Sequence, residues 1–250
     1  MLLPGERIDD LERNGLVIIQ NPERFSFGMD AVLLSAYVRA PRGSRILDLG
    51  TGTGILPILL SDRTEAAEIC GLEIMEDIAG MAERSVSLNH LGDRVKITCG
   101  DLRRAEDYFE AASFDVITSN PPYIPVGSGL LTGGASGDEE ARSHDAARHE
   151  ICCTFEDVAA AAAKLLKSNG HFFLVHRPAR LVEIVGVLSG RGLEPKRMRF
   201  VHPYADRRPG LVLLDCVRGA RSGVTVEEPL VVYESPGRYT PETGRIYGRE

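Results

Sequence analysis

The sequence predicts an α/β fold: a seven-stranded, mostly parallel sheet with helices on both faces, closing in an antiparallel hairpin. Three observations carry that reading. Apolar, β-branched runs alternate with helical stretches from Arg45 to Thr118, the rhythm of parallel strands joined by helical crossovers. Within Asp77–His90, the residues Ile78, Met81, Ser85 and Leu88 share one helical face. The last two strand-like runs, Met198–His202 and Leu211–Val217, read as antiparallel neighbours joined by the basic loop Asp206-Arg-Arg-Pro-Gly210.

Leu16–Gln20 reads as a short strand, followed by the turn signal Asn21-Pro22. Phe25-Ser-Phe-Gly-Met-Asp30 leads into a helix over Ala31–Val38, and Pro41-Arg-Gly43 breaks the chain. The alternation then runs strand Arg45–Leu49, helix Ile55–Ser61, strand Glu68–Glu73, helix Asp77–His90, strand Arg94–Cys99. A short helix holding Tyr108 and Phe109 precedes the strand Phe114–Thr118. Residues 124–146 interrupt the rhythm with Gly127, Gly129, Gly133, Gly134 and Gly137 and no period. A long insertion of this kind in a compact domain is usually functional or disordered, and it reads as a mobile lid. Thr154–Lys167 is a helix with Phe155, Val158, Ala162 and Leu165 inward and Thr154 and Asp157 in its capping turn. Gly170–Val175 is a strand and Ala179–Arg191 a helix. The expected organisation is an N-terminal extension over 1–44 that packs on the ligand site, a main domain over 45–221, and a tail over 222–250 with proline punctuation but no strong period.

Hydrophobic residues make up 43% of the 250 positions and charged ones 26%, enough to build a sizeable core. No apolar run reaches the length of a membrane span, and the N-terminus carries no secretory pattern. The five cysteines, Cys70, Cys99, Cys152, Cys153 and Cys216, lack metal-ligand spacing and read as reduced thiols of a cytoplasmic protein. No metal is expected, and nothing in the sequence sets an oligomeric state. The net charge of −7 argues weakly against a nucleic-acid partner. Its distribution argues the other way: ten basic residues face four acids between Arg177 and Arg221, a basic segment on an acidic body.

Ser119-Asn-Pro-Pro-Tyr123 follows the strand Phe114–Thr118 and supplies the first functional signal. Pro121 and Pro122 stop the strand and stiffen the turn. A rigid turn at a strand's carboxyl end is where open α/β folds place ligands. Asn120 offers a side-chain oxygen, Pro121 a carbonyl that only accepts, and Tyr123 a flat ring. Two acceptors beside a ring suit a planar –NH2 group, although Asn and Pro are also ordinary turn residues.

The second signal is Asp48-Leu-Gly-Thr-Gly-Thr-Gly54, at the junction of the first strand and helix of the alternation. Gly50, Gly52 and Gly54 let the backbone approach a ligand, with Thr51 between them. Glycine-rich loops also serve dinucleotides, but three details favour S-adenosylmethionine here. Asp48 is an acid placed for the amino end of methionine. The spacing is Gly-x-Gly-x-Gly, not Gly-x-Gly-x-x-Gly. Glu73, at the next strand end, is placed to accept both ribose hydroxyls, and Asp101, at the one after, to accept from the adenine amine. Each acid is also an ordinary helix N-terminal residue. Asp30 and Phe27 line the same pocket from the N-terminal side, with plain core packing an equal account of Phe27.

Together the four strand ends look like a Rossmann-like class I methyltransferase, and Asn120–Tyr123 resembles the motif of amino-methyltransferases. That resemblance implies that Asn120 and the Pro121 carbonyl bind the target amine, with Asn120 also facing the cofactor, and that Pro122 and Tyr123 complete the catalytic turn. The chain more narrowly resembles bacterial methyltransferases that act on adenine N6 in tRNA(Val) beside the anticodon. Phe25–Leu34, Asp48–Gly54, Asn120–Tyr123, Ala147-Arg-His-Glu150, Val175-His-Arg-Pro178 and Glu194-Pro-Lys-Arg197 carry it across most of the chain. It implies S-adenosylmethionine as methyl donor, S-adenosylhomocysteine as product, tRNA as partner, and Arg148 and His149 as substrate contacts. Ser119 departs from the aspartate that often precedes this motif. The alternatives within the same chemistry are rRNA and a protein glutamine amide. Glutamine methyltransferases carry a helical N-terminal domain that the residues before Arg45 hardly supply.

Overall fold

The structure is a computed structural model that describes residues 2–22, 27–121 and 153–249. The chain opens with β1 (Arg7–Asp10) and β2 (Val17–Gln20), then α1 (Met29–Tyr37). The alternation follows: β3 (Arg45–Leu49), α2 (Ile55–Arg63), β4 (Glu68–Glu73), α3 (Glu76–Leu88), β5 (Val95–Cys99), a 3-10 turn at Leu102–Asp107 and β6 (Phe114–Ser119). After residue 152 come α4 (Phe155–Leu165), β7 (Leu166–His176), a 3-10 turn at Pro178–Arg180, α5 (Leu181–Gly190), β8 (Leu193–His202) and β9 (Leu211–Arg218). The tail forms β10 (Thr225–Val226), β11 (Leu230–Val231), β12 (Tyr233–Ser235), β13 (Arg238–Tyr239) and α6 (Pro241–Ile246).

The main sheet runs in the order β10-β8-β9-β7-β6-β3-β4-β5. From β3 to β7 all neighbours are parallel. β9 is antiparallel to both β7 and β8, as the expected closing hairpin requires. The chain winds outward through β3, β4 and β5, then returns to place β6 on the other side of β3. The reversal between β3 and β6 opens a crevice at the carboxyl ends of those strands, the switch point where such sheets hold ligands.

Side chains alternate across the sheet and are buried on both sides. Ile46, Ile69, Val116 and Phe173 pack with Leu33, Leu34, Ile58, Leu59 and Val86 from α1, α2 and α3. Leu47, Leu72, Ile117, Phe172 and Leu174 pack with Val158, Ala162, Ile184 and Leu188 from α4 and α5. Each fully buried Leu or Phe contributes about 1.5–3 kcal/mol. Among the described residues no helix is long and apolar enough to cross a membrane.

Three features differ from the sequence reading. Polar Arg7–Asp10, with little strand propensity, pairs antiparallel with β2 because β2 is already anchored in the core by Ile18 and Ile19. Tyr108 and Phe109 lie just past the short helix, which Asp101 starts by accepting from the Arg103 N–H at 2.9 Å. The tail is folded: to the seven strands β3–β9 that the sequence predicts, β10 and β11 add two short strands beside β8. Its rings Tyr233, Tyr239 and Tyr247 stack at 5.2 and 5.0 Å. The two-residue strands β10 and β11 carry no readable period, since each is held by the existing edge of β8.

Candidate active site

β5, β4, β3 and β6 lie side by side and parallel, so Asp101, Glu73, the Asp48–Gly54 segment and Asn120 reach one edge of the sheet in that order. Asp48 is buried at 1% exposure opposite Thr118, whose Oγ1 donates to Asp48 Oδ1 at 2.7 Å. Its other oxygen, Oδ2, has no hydrogen-bond partner among the described residues, and neither has the buried Thr53 Oγ1. Burial pushes the Asp48 carboxyl up to about 7, against the opposing bond from Thr118.

The glycine loop turns over this carboxyl with Gly50, Gly52 and Gly54 at φ of +70°, +56° and +85°, a run of left-handed geometry that side chains resist. Gly50 and Thr51 both donate their N–H to Leu72 O, at 2.9 and 3.0 Å. Glu73, also 1% exposed, accepts from the Gly52 N–H at 2.9 Å and from the Met75 N–H at 3.0 Å. Its carboxylate thus ties the loop to the end of β4, and each oxygen keeps a lone pair for a ligand hydroxyl.

Asp101 is already engaged. Arg103 donates Nε and Nη2 to it, the latter at 2.6 Å, and this pairing holds the Asp101 carboxyl below its usual range. An incoming amine must share or displace Arg103. Beside it, a Cβ on Gly100 would lie 2.5 Å from the Tyr108 ring, so the backbone and ring are in close contact. Tyr108 remains 40% exposed at this strand end, a ring surface that no sequence motif marks.

Asn120 is half-buried and Pro121 buried where β6 ends. Ser119 is 1% exposed and its Oγ donates to Leu49 O at 2.9 Å, bonding β6 to β3 just below Asn120. An aspartate ionised at this position has no proton to give that carbonyl, which accounts for serine here. His176 ends β7, two residues beyond Leu174, the partner of Ser119. It is fully buried, and its Nδ1 accepts from the Arg177 N–H at 2.8 Å, so Nε2 carries the proton. Burial lowers its pKa to about 4 and keeps the ring neutral. The Val175-His-Arg-Pro178 motif held this residue, but nothing in its spacing announced a buried donor. Pro122, Tyr123, Arg148, His149 and the 124–146 segment lie outside the described residues. Phe27 packs against the core and lines a cavity of about 190 Å³ with Ile246 and Tyr247; Asp30 accepts from the Ala31 N–H at 2.9 Å.

These residues fit an S-adenosylmethionine-type ligand. A buried carboxyl with a spare oxygen matches an ammonium, an open glycine turn lets the backbone meet a compact ligand, and Glu73 keeps acceptor capacity for a diol. A family model described as a methyltransferase domain matches residues 46–126, from β3 past the end of β6. The tRNA1(Val) (adenine(37)-N6)-methyltransferase of Tolumonas auensis is 31% identical over 216 residues, covering 86% of this chain and 85% of its own. The chain belongs to that family. The relative of the same name from Bacteroides fragilis is 30% identical over 217 residues, covering 86% of each chain. Membership makes the protein an S-adenosylmethionine-dependent methyltransferase. Solved structures agree on the fold. A predicted O-methyltransferase from Agrobacterium tumefaciens superposes with a TM-score of 0.69 at 25% identity, covering 88% of this chain and 96% of its own. Pyrococcus horikoshii TYW2, solved with MeSAdo, gives 0.57 at 15% identity, covering 88% and 74%.

Proposed function

We propose that the protein methylates the exocyclic N6 of an adenine in tRNA, adenine 37 of tRNA1(Val), in the cytoplasm. The observation that carries it is the pairing across the switch point: Asn120 and Pro121 end β6 directly beside Asp48 and the glycine loop of β3. An amine held at the first meets a donor held at the second.

The cofactor supplies an electrophilic methyl on sulfonium. Asp48 would take its ammonium, and the free lone pairs of Glu73 its ribose hydroxyls. Asn120 Oδ1 and the Pro121 carbonyl accept the two N–H groups of the adenine amine. That arrangement favours a pyramidal nitrogen and frees its lone pair from the ring. With the cofactor bound, that lone pair would take the methyl from sulfur, the N–C bond forming as the S–C bond breaks, with S-adenosylhomocysteine as the product. Positive charge building on nitrogen is met by the same two acceptors. The alkylated nitrogen then gives its proton to solvent, so no dedicated base is needed. Tyr123, outside the described residues, is the ring the motif would offer for stacking on the base, a contact of about 1–3 kcal/mol in comparable cases. The base must leave its stack to enter, which suits an anticodon loop.

The test is methyl transfer from labelled S-adenosylmethionine to tRNA from a strain lacking the protein, followed by nucleoside analysis. Labelled N6-methyladenosine is expected. Asn120→Ala should bind the cofactor within about twofold and lose at least about 100-fold in kcat, the scale of losing one preorganised hydrogen bond at a developing charge. Activity retained within a few-fold would remove Asn120 from the chemistry. Label absent from tRNA but present in rRNA or in a protein glutamine would replace the substrate.

A further inference from the structure

The basic run between Arg177 and Arg221 is divided by the topology. Arg197 pairs with Glu227 at 2.7 Å and with Asp215 at 3.3 Å, Arg199 with Glu242 at 2.7 Å, and Arg180 with Glu183 at 2.5 Å, so their charges are met within the fold. Arg191, after α5, and Arg221, after β9, fall at the amino edge of the sheet, because α5 leads into the start of β8 and β9 runs antiparallel to β7. Arg207 and Arg208 fall at the other edge. β8 is parallel to β7, since both are antiparallel to β9, and the loop after it opens where β6 delivers Asn120.

That loop is braced. The His202 ring bonds the Arg207 carbonyl at 2.6 Å, and a carbonyl only accepts, so Nδ1 is the donor. The Arg207 N–H donates to Tyr204 O at 3.0 Å and the Gly210 N–H to Val201 O at 2.9 Å. The Tyr204 ring rests against Tyr233 at 5.7 Å, at one end of the tyrosine stack of the tail. The arginine side chains themselves stay in solvent: that of Arg207 is 70% exposed, and its 3.9 Å approach to the exposed Asp206 is too loose to neutralise it. Arg208 is exposed.

We propose that Arg207 and Arg208, on the braced β8–β9 loop, bind backbone phosphates of the RNA beside the target adenine. This rests on the tRNA reading above. β8 stands three strand steps from β6, about 14 Å at the usual spacing of about 4.8 Å. A single strand that turns one base toward Asn120 carries its neighbouring phosphates across that distance. Two fixed cations there set the register of the strand without reading its bases.

The experiment compares R207E/R208E with R191E/R221E, an equal charge change at the amino edge. It measures tRNA binding from 50 to 300 mM salt and methyl-transfer kinetics. The loop pair should raise KM for tRNA about tenfold or more and reduce the slope of log affinity against log salt by about 1–2, as one or two phosphate contacts are lost. KM for S-adenosylmethionine and kcat at saturating tRNA should hold, and R207Q/R208Q should fall between. The amino-edge pair should stay within about twofold of the unaltered protein. Equal losses in both pairs, or an unchanged salt slope for the loop pair, would overturn the proposal. An unaltered protein that binds cofactor but neither binds nor methylates tRNA would instead overturn the substrate reading.

Discussion

Asp48 combines two roles that pull in opposite directions. Its place at the end of β3 buries it, and burial favours the neutral acid; its proposed ligand, an ammonium, favours the carboxylate. With a folded-state pKa of about 7, above the ordinary aspartate value, the stability linked to it is full in acid and lost as pH rises through about 7. Cofactor binding works against that protonation. Below about pH 7 each binding event must release the proton, so affinity for S-adenosylmethionine should weaken about tenfold per pH unit down to pH 5.5. Above about 7 this dependence should flatten. Calorimetry in buffers of different ionisation enthalpy reads the released proton directly, and Asp48→Asn should bind weakly with no pH dependence from this source. A flat profile in the unaltered protein would separate Asp48 from the ammonium. His176 is the contrasting case: burial lowers a base instead of raising an acid, and both groups are driven toward neutrality beside the same crevice.

Elements obey local rules where their ends are chemically marked. α4 begins with a capping box in which Thr154 accepts from the Asp157 N–H and Asp157 accepts from the Thr154 N–H, at 2.9 Å for the second bond. The sequence alone indicated this pair, because Ser or Thr followed three residues later by an acid satisfies two end donors at once. Thr154→Ala should cost about 1 kcal/mol in denaturant unfolding, and Thr154→Ser should restore most of it. No loss on Thr154→Ala would mean that packing of Phe155 and Val158 alone holds the helix start. Between elements the signals were absent. Asp215, 2% exposed on β9, joins His171 of β7 at 2.7 Å and Arg197 of β8 at 3.3 Å. These residues are far apart in the chain, and only strand order brings them together.

Across the whole molecule the two chain ends close on one another. Arg249 pairs with Glu12, Arg63 donates to Ile246 O at 2.5 Å, and Leu16, Ile18, Leu230 and Val232 share one core with α1 and α2. Tyr239 is central to the tail: it stacks between Tyr233 and Tyr247, with the Arg249 guanidinium 5.5 Å from its ring centre. Aromatic pairs of this kind contribute about 0.5–1.5 kcal/mol each beyond burial. Tyr239→Ala should therefore destabilise by about 2–3 kcal/mol, and Tyr239→Phe by much less. Hydrogen exchange should quicken most in α6 and in the 204–210 loop, and least in β3, β4 and β6. Uniform quickening would show that the stack is not what braces the loop.

The sequence by itself determined the central sheet and the line of residues along its edge. Buried parallel strands favour near-continuous apolar runs, helices repeat near 3.6, and glycine is favoured where φ turns positive, so β3 through β6 were legible with Asp48, Gly50, Glu73 and Asn120 at their ends. Serine at 119 was legible only as a departure; its donor role needed Leu49 O within 2.9 Å. The tertiary structure decided the rest. It folded the tail onto the edge of the sheet, and divided one basic segment into paired, amino-edge and crevice-side arginines. Partners such as Arg197 with Asp215, or Arg199 with Glu242, depend on distances between elements remote in sequence, and a local pattern of residues does not record them.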